Sequence, residues 1–196
     1  EIGGGKVDFL SLLVGLGNNH GFRLDPFNYK VENVEPKTNR SVGLVSSSFP
    51  LLDEEKKVDF VFSYHELEHM NNPKSFLKDL WMMLDKKGST RVFFSVPNAL
   101  KAFEEGDYSD IIYEHVSYFT IPSLYFLFST CGFDILKVQE TKGEIFDSIH
   151  VDAIRKKGKI QDLKPTSELA VSQAEQIIQG FSKKTLENIK ERMQQR

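Results

Sequence analysis

Apolar runs and amphipathic stretches alternate along the chain from residue 1 to about residue 155. Short runs rich in β-branched and aromatic residues predict strands over 21–25, 42–45, 58–63 and 90–96. Apolar positions at helical spacing predict helices after the glycine turn at residues 3–5, over 73–86 and over 122–130. Units in this order form an α/β fold, with a mostly parallel sheet and helices on both faces.

The second half of the chain follows a different pattern. Residues 133–140 and 145–154 alternate enough to predict a closing antiparallel hairpin, with a tight turn at Lys142 and Gly143. Residues 98–119 are dense in acids and tyrosines and predict an irregular segment. From Ser167 onward, a polar amphipathic pattern predicts a C-terminal helical tail.

These patterns divide the chain into a domain over residues 1–157 and a helical tail or connector over residues 158–196. A length of 196 residues is enough for one sizeable α/β domain with additional helix. Because Glu1-Ile2 has the character of a strand end that enters a glycine turn, we expect the first strand of the domain to be truncated.

In a parallel sheet of this kind, ligands bind beyond the carboxyl ends of the strands. Since the strands are predicted to be parallel, the five loops at their carboxyl ends converge on one edge. These loops carry the most distinctive residues of the chain: Gly3–Gly5, Asp25, Ser46–Phe49, Ser63–His69 and Pro97-Asn98.

Residues 65–69, HELEH, fit the H-E-x-x-H pattern of zinc proteases. Such a site needs a helix, because only there do histidines four residues apart share one face. The run before His65 is β-branched and aromatic, while Asn72 and Pro73 are a good N-cap and first helical residue. We therefore predict a strand, a loop and then a helix, with no metal ligand. A zinc hydrolase is the alternative.

Composition narrows the function classes further. The net charge is -3, no basic stripe is present and no apolar run reaches bilayer length, so we expect neither nucleic acid nor membrane as a partner. The single cysteine, Cys131, excludes an intramolecular disulfide and is expected to be a small core residue. These features predict a cytoplasmic protein with a small-molecule substrate, and they are compatible with a homo-oligomer.

The glycine turn and Asp25 point to a nucleoside ligand. Glycines between a strand and a helix let a ligand approach the backbone closely. Asp25 follows about twenty residues later at a strand end, where a carboxylate can accept hydrogen bonds from ribose hydroxyls. The pair occurs in nucleoside-binding proteins in general, including those that bind NAD. Both features also occur in tight turns without a ligand.

Five segments in order resemble class I S-adenosylmethionine-dependent methyltransferases: EIGGG, LDP, VDFVFSYHELEHMNNP, LDKKGSTRVFFSVPN and EHVSYFTIPSLYFLFSTCGF. The resemblance covers about residues 1–155. It implies a Rossmann-like methyltransferase sheet, in which the closing hairpin argues against an NAD dehydrogenase. It also implies S-adenosylmethionine as the cofactor and methyl transfer to a small-molecule acceptor as the reaction.

The resemblance also implies a set of cofactor contacts at the predicted edge. The methionine part of the cofactor would be lined by Glu1, Gly3 and Gly5, and the ribose would be held by Asp25. The adenine would lie near Ser47 and Ser48, with Phe49 as a packing partner. The sulfonium would be bordered by Ser63, Tyr64 and His65.

Within the family, one motif resembles sugar C-methyltransferases that act on nucleotide-linked deoxysugars. The motif is Tyr113-Glu114-His115 followed by Ser-Tyr-Phe-Thr, with His65 expected across the pocket. The tail over 167–196 resembles the helical connector that precedes the second domain of those enzymes. This resemblance implies that the methyl acceptor is a nucleotide-linked sugar, so that the enzyme functions in sugar modification.

Methyl transfer is an in-line displacement in which the enzyme positions both partners and removes a proton. Histidine is the natural base near neutral pH, and His65 and His115 are the candidates. Glu114 would orient the base or act as a second one, and Tyr113 would hydrogen-bond a substrate hydroxyl.

Other histidines and one acid are expected to have structural roles. Glu68 and His69 would form an acid–histidine pair in front of the next helix, and His20 and His150 would be surface or packing residues. Besides the methyltransferase and the zinc hydrolase, a third hypothesis is a methyltransferase-like module that binds without catalysis.

Overall fold

The computed structural model describes residues 1–3, 9–16, 21–25, 30–34, 41–45, 58–84, 90–105, 111–143, 147–157 and 187, with the backbone alone at 25, 30–34 and 41–45. The helices are α1 (Phe9–Gly15), α2 (Pro73–Met83), α3 (Ala99–Glu105) and α4 (Ile121–Thr130). The strands are β1 (Gly21–Asp25), β2 (Lys30–Val34), β3 (Ser41–Val45), β4 (Phe60–Tyr64), β5 (Arg91–Pro97), β6 (Phe133–Thr141) and β7 (Ser148–Arg155). Apart from Glu187, the predicted helical tail lies outside the described residues.

The strands form two groups, in the orders β1-β2-β3 and β4-β5-β7-β6. Ile2 connects the groups, because it makes parallel bridges to Leu24 in β1 and to Ser63 in β4. The strand pair β4/β5 is parallel, whereas β1/β2, β2/β3, β5/β7 and β6/β7 are antiparallel. The sheet is therefore mixed, and the prediction of a mostly parallel sheet is not confirmed.

The hairpin between β1 and β2 explains most of this difference. Parallel neighbours need a crossover of a dozen or more residues, and four residues separate Asp25 from Lys30. The chain must therefore turn back on itself, and Asp25 pairs with Lys30 directly after the turn. β2 was not predicted as a strand, because three of its five residues are polar, so nothing in the pattern indicated a hairpin after β1.

The predicted closing hairpin is confirmed. β6 and β7 pair in antiparallel register from Phe133 opposite Arg155 to Thr141 opposite Ser148, with an irregularity between Ile135 and Lys137. β7 also pairs with β5, so it lies inside the sheet, and buried residues alternate along it with half-buried ones.

Helices cover both faces of the sheet, as predicted. Successive residues of a strand point to opposite faces, and Val61 and Phe62 in β4 belong to different clusters. Phe62 packs with Leu10 and Val14 of α1. The cluster on the other face joins β4, β5 and β7 to α2 and α4, and includes Val61, Leu77, Leu80, Val92, Phe94, Leu124, Phe128, Ile149 and Val151.

Side-chain caps start two of the helices, and the cap of α2 is the one predicted from the sequence. The side chain of Asn72 accepts a hydrogen bond from the Ser75 amide at 2.9 Å, and Pro73 is the first residue of α2. Thr120 and Ser123 form a capping box at the start of α4. Residues 98–119 were predicted to be irregular, but their first part forms α3, because the segment ALKAFEE consists almost entirely of strong helix formers.

Cys131 is fully buried in the core, as expected. Burial raises the pKa of its thiol, so the side chain stays protonated and behaves as a small apolar group. Among the residues that the structure describes, no helix is both long and apolar enough to cross a membrane.

Candidate active site

Three backbone segments meet at one edge of the sheet. Residues 1–3 run between β1 and β4: the Ile2 amide donates to Phe62 O at 2.8 Å and the Gly3 amide donates to Leu24 O at 2.9 Å. Because these neighbours are parallel, Gly3, Asp25 and the segment after Ser63 leave the sheet on the same side. This is the edge where ligands bind in open α/β sheets.

Gly3 can be replaced by no other residue without strain. Its φ is +80°, a conformation that residues with a side chain rarely adopt. A Cβ built at Gly3 would lie 2.1 Å from Cγ and Cδ of Glu66. The Glu66 side chain therefore lies directly against the backbone of the glycine turn, a contact that the sequence did not predict.

The HELEH segment does not form an α-helix. β4 ends at Tyr64, the His65 amide donates to Ser95 O at 2.9 Å, and His65 has a φ of +51°. A three-residue 3-10 helix over Leu67–His69 follows, and α2 starts at Pro73. The predicted strand–loop–helix is confirmed, and the helix-borne zinc site of the alternative hypothesis is wrong.

His65 is held as a neutral imidazole at this edge. Its Nε2 lies 3.0 Å from Oγ of Ser148, which is 4% exposed at the start of β7, and its ring stacks on Tyr64 at 4.2 Å between centroids. Burial is the main cause that lowers the pKa of His65 to about 4, and the nearby charges of His115, His150 and His69 contribute. The ring is therefore unprotonated over the whole neutral pH range.

A second segment, residues 111–119, lies against the HELEH loop. Val116 and Ser117 both donate their amides to Glu68 O at 3.0 Å. Nδ1 of His69 lies 2.9 Å from Glu114 O, and since a carbonyl only accepts, His69 Nδ1–H is the donor. Three hydrogen bonds thus fix His115 and its neighbours beside residues 68 and 69.

The predicted catalytic residues are only partly assembled. His115 contacts His69, with ring centroids 4.8 Å apart, and its charge affects His65. Tyr113 is 89% exposed, and Glu114 contributes its backbone carbonyl to His69. Glu68 and His69 form the predicted acid–histidine pair, with 3.9 Å between Oε1 and Nε2.

The predicted cofactor residues have different positions. Glu1 pairs with Arg23 at 2.6 Å, and its side chain is 5% exposed. Ser63 is buried, and its Oγ has no hydrogen-bond partner among the described residues. Tyr64 is 62% exposed. The side chain of Asp25 is not described, and Gly5, Ser47, Ser48 and Phe49 lie outside the described residues.

Two residues at the edge were missed by the sequence reasoning. Glu66 packs on Gly3, which lies 63 positions earlier, and Ser148 contacts His65 across 83 positions. Neither contact has a local sequence signal. His150, expected to have a surface or packing role, packs through its ring on Phe93, with 5.4 Å between centroids.

The family model described as a methyltransferase domain matches residues 1–138. The chain belongs to this family. No curated protein matches it in sequence. The match supports S-adenosylmethionine as the cofactor of this methyltransferase domain.

Several solved methyltransferases are partly similar to the chain. Magnesium protoporphyrin IX methyltransferase from Synechocystis PCC 6803 with bound SAH has 16% identity and a TM-score of 0.39, and the match covers 55% of this chain and 49% of that one. A Burkholderia thailandensis 1,6-didemethyltoxoflavin-N1-methyltransferase has the same identity and TM-score, with coverages of 55% and 48%. N-methyltransferase NodS from Bradyrhizobium japonicum WM9 has 12% identity and a TM-score of 0.36, and the match covers 55% of this chain and 56% of that one. The chain spans about half the length of these proteins.

The edge has features that fit a bound nucleoside-type cofactor. The positive φ of Gly3 turns the chain sharply at the end of the segment that runs between β1 and β4. Asp25 follows Leu24, the backbone partner of Gly3, at the end of the neighbouring strand. The Ser63 hydroxyl, buried and without a partner in the described part of the chain, lies on the third strand end.

Replacing Gly3 with alanine should destabilise the domain. The positive φ alone costs about 1 kcal/mol, and the overlap with Glu66 adds to this loss. The double variant Gly3→Ala/Glu66→Ala should regain the stability lost through the overlap with Glu66. It should keep the loss that comes from the positive φ. Gly15→Ala is the matched control, because nothing lies within 4 Å of a Cβ at that position. Urea denaturation measures all three, and a Gly3→Ala variant as stable as Gly15→Ala would contradict the structure.

The lowered pKa of His65 should make the domain sensitive to acid. The pKa is about 4 in the folded state, whereas the unfolded chain has the ordinary histidine pKa of 6.5. The unfolded state therefore binds the proton first, and stability is lost as the pH falls from 6.5 towards 4. Since the ring is partly exposed, solvent screening limits the contribution of His65 to the free energy of unfolding to about 1–2 kcal/mol.

His65→Gln should therefore flatten the change in unfolding free energy between pH 7 and pH 5, as measured by urea denaturation. Lys137→Gln, which removes an exposed positive charge from β6, is the control and should keep the wild-type change. Equal pH dependence in wild type and His65→Gln would show that the imidazole is not held neutral by the fold.

Proposed function

We propose that this methyltransferase domain transfers a methyl group from S-adenosylmethionine to a small-molecule acceptor. The observation that carries the proposal is the convergence of Gly3, Asp25 and the Ser63–His65 segment on one edge of the sheet. This edge also carries a histidine with a strongly perturbed pKa, as functional sites often do.

The cofactor would lie along this edge. When bound, S-adenosylmethionine supplies a methyl group on a positively charged sulfur. In the proposal, the turn at Gly3 and Gly5 with Glu1 lines its methionine part and Asp25 accepts hydrogen bonds from the ribose. The remaining contacts are Ser47, Ser48 and Phe49 at the adenine, and Ser63 and Tyr64 near the sulfur.

His65 is the proposed proton acceptor. Its Nε2–H would donate to Ser148 Oγ, which leaves the lone pair of Nδ1 for the acceptor proton. The acceptor atom forms its bond to the methyl carbon as the methyl–sulfur bond breaks, and its proton passes to His65. Because His65 is neutral above about pH 5, it is available as a base, although its low pKa makes it a weak one.

The Tyr113-Glu114-His115 motif makes a nucleotide-linked sugar the acceptor class to test first. Tyr113 is 89% exposed, so its hydroxyl is accessible to a bound molecule. His115 lies beside His69, and its electrostatic influence on His65 supports a position near the proposed base. In the proposal, Tyr113 and Glu114 hydrogen-bond the acceptor, and His115 is the second candidate base.

Calorimetric titration with S-adenosylhomocysteine tests the cofactor. Asp25→Ala should weaken binding by about 1–3 kcal/mol, because a buried hydrogen bond to the ribose is lost. Asp134→Ala is the matched control, since it removes an aspartate from β6 at the far end of the sheet order. Absence of binding by the wild-type chain would contradict the proposal. Binding without turnover on nucleotide-linked sugars or other small hydroxyl compounds would instead support a non-catalytic module.

The pH dependence of turnover tests the base. With His65 as the base, kcat/KM should be flat between pH 6 and pH 8, because a group with a pKa of about 4 is already deprotonated there. His65→Gln should lower kcat by about 10²–10⁴-fold, while His150→Gln, which changes a packing histidine, should stay near wild type. An acid limb near pH 6.5, the ordinary pKa of histidine, would assign the base to another histidine.

A further inference from the structure

Glu68, His69 and His115 bring three metal-ligating side chains together beside His65, which is not part of the set. One ligand atom from each lies within 4.8 Å of the other two. Two imidazole nitrogens and one carboxylate oxygen are a donor set that zinc and related ions bind. This set differs from that of the H-E-x-x-H pattern, which would use His65 and His69.

We propose that Glu68, His69 and His115 form a binding site for a divalent first-row transition-metal ion of the zinc class. The proposal departs from the expectation of no metal ligand, and it does not depend on methyl transfer. With three protein ligands, the ion would keep at least one position open for an oxygen of water or of a bound molecule.

His69 is already oriented as a metal ligand. Its Nδ1–H donates to Glu114 O at 2.9 Å, so in the neutral ring the lone pair is on Nε2. Metal-bound histidines commonly donate their other ring N–H to a backbone carbonyl in this way. Nε2 faces Oε1 of Glu68 at 3.9 Å, a separation too long for a hydrogen bond.

The spacing fits an ion between the ligands. Bonds of about 2.1 Å from zinc to nitrogen or oxygen put two ligand atoms up to about 4.2 Å apart. The 3.9 Å between Glu68 and His69 lies within this limit. The largest separation in the set, up to 4.8 Å, closes with a shift of about 0.6 Å.

The site combines a buried acid with backbone hydrogen bonds that join its two segments. Glu68 is 1% exposed, and a buried carboxylate requires compensation by positive charge or hydrogen bonds. The amides of Val116 and Ser117 both bind Glu68 O, which holds the segment with His115 against the segment with Glu68 and His69. The two halves of the donor set are therefore positioned by the backbone before an ion binds.

Titration of the full chain with Zn²⁺ after treatment with a chelator tests the proposal. We expect one Zn²⁺ per chain by calorimetry, and intense visible absorption bands when Co²⁺ is used as a probe. His69→Ala and His115→Ala should each weaken Zn²⁺ binding at least about tenfold and change the Co²⁺ spectrum. Glu68→Gln keeps the shape of the side chain and should have the same effect, so it carries the test if a histidine variant fails to fold.

Two control variants make the assignment specific. His65→Ala removes the first histidine of HELEH, and His150→Ala removes a histidine that packs on Phe93. Both should bind Zn²⁺ like the wild type. Absence of stoichiometric binding, or binding that survives Glu68→Gln and His115→Ala but is lost in His65→Ala, would overturn the proposal. Binding of S-adenosylhomocysteine is measured separately, so a failure here leaves the methyltransferase proposal intact.

Discussion

The burial of Leu67 fixes the loop on which the candidate site depends. Its side chain is 0% exposed and packs in the core that joins β4, β5 and β7 to α2 and α4. A 3-10 helix has three residues per turn, so with Leu67 inside, its neighbours must point in other directions. Glu66 reaches Gly3, whereas Glu68 and His69 face residues 114–117. The positive φ of His65 costs about 1 kcal/mol or more, and core burial offsets this cost.

The same loop concentrates polar groups that are costly to bury. His65 is held neutral and Glu68 lies almost fully inside. On the strands beside the loop, Oγ of Ser63 in β4 and Oγ of Ser95 in β5 have no hydrogen-bond partner within the described part of the chain. Each buried hydroxyl without a partner costs about 1–3 kcal/mol. A fold selected for stability alone would place apolar residues here. The concentration of these groups at the carboxyl edge is therefore best explained by binding or catalysis.

Local signals in the sequence predicted the elements that surround the site. The β-branched and aromatic run before His65 predicted β4, and Asn72-Pro73 predicted the start of α2, because both signals act through residues close in sequence. β2 was missed because it is polar, and α3 because it opens a segment whose acids and tyrosines predict irregular structure. Contacts across the fold could not be predicted in the same way. Three contacts depend on how distant segments meet: Glu66 on Gly3, Ser148 on His65, and the backbone of 116–117 on Glu68.

The mostly parallel strand order was not confirmed for a related reason. The number of residues between Asp25 and Lys30, and not the strand pattern, decides between a hairpin and a crossover.

The methyltransferase proposal and the metal-site proposal assign different roles to His65 and His115. A metal ion and a proton would compete for the same lone pair of His115, so His115 cannot serve as a base while an ion is bound. His65 does not share this conflict, because its ring contacts Ser148 and lies outside the donor set. A bound cation would also add positive charge near His65 and lower its pKa further, which keeps the ring unprotonated. Metal binding at Glu68, His69 and His115 is therefore compatible with proton removal by His65, and excludes His115 from that role.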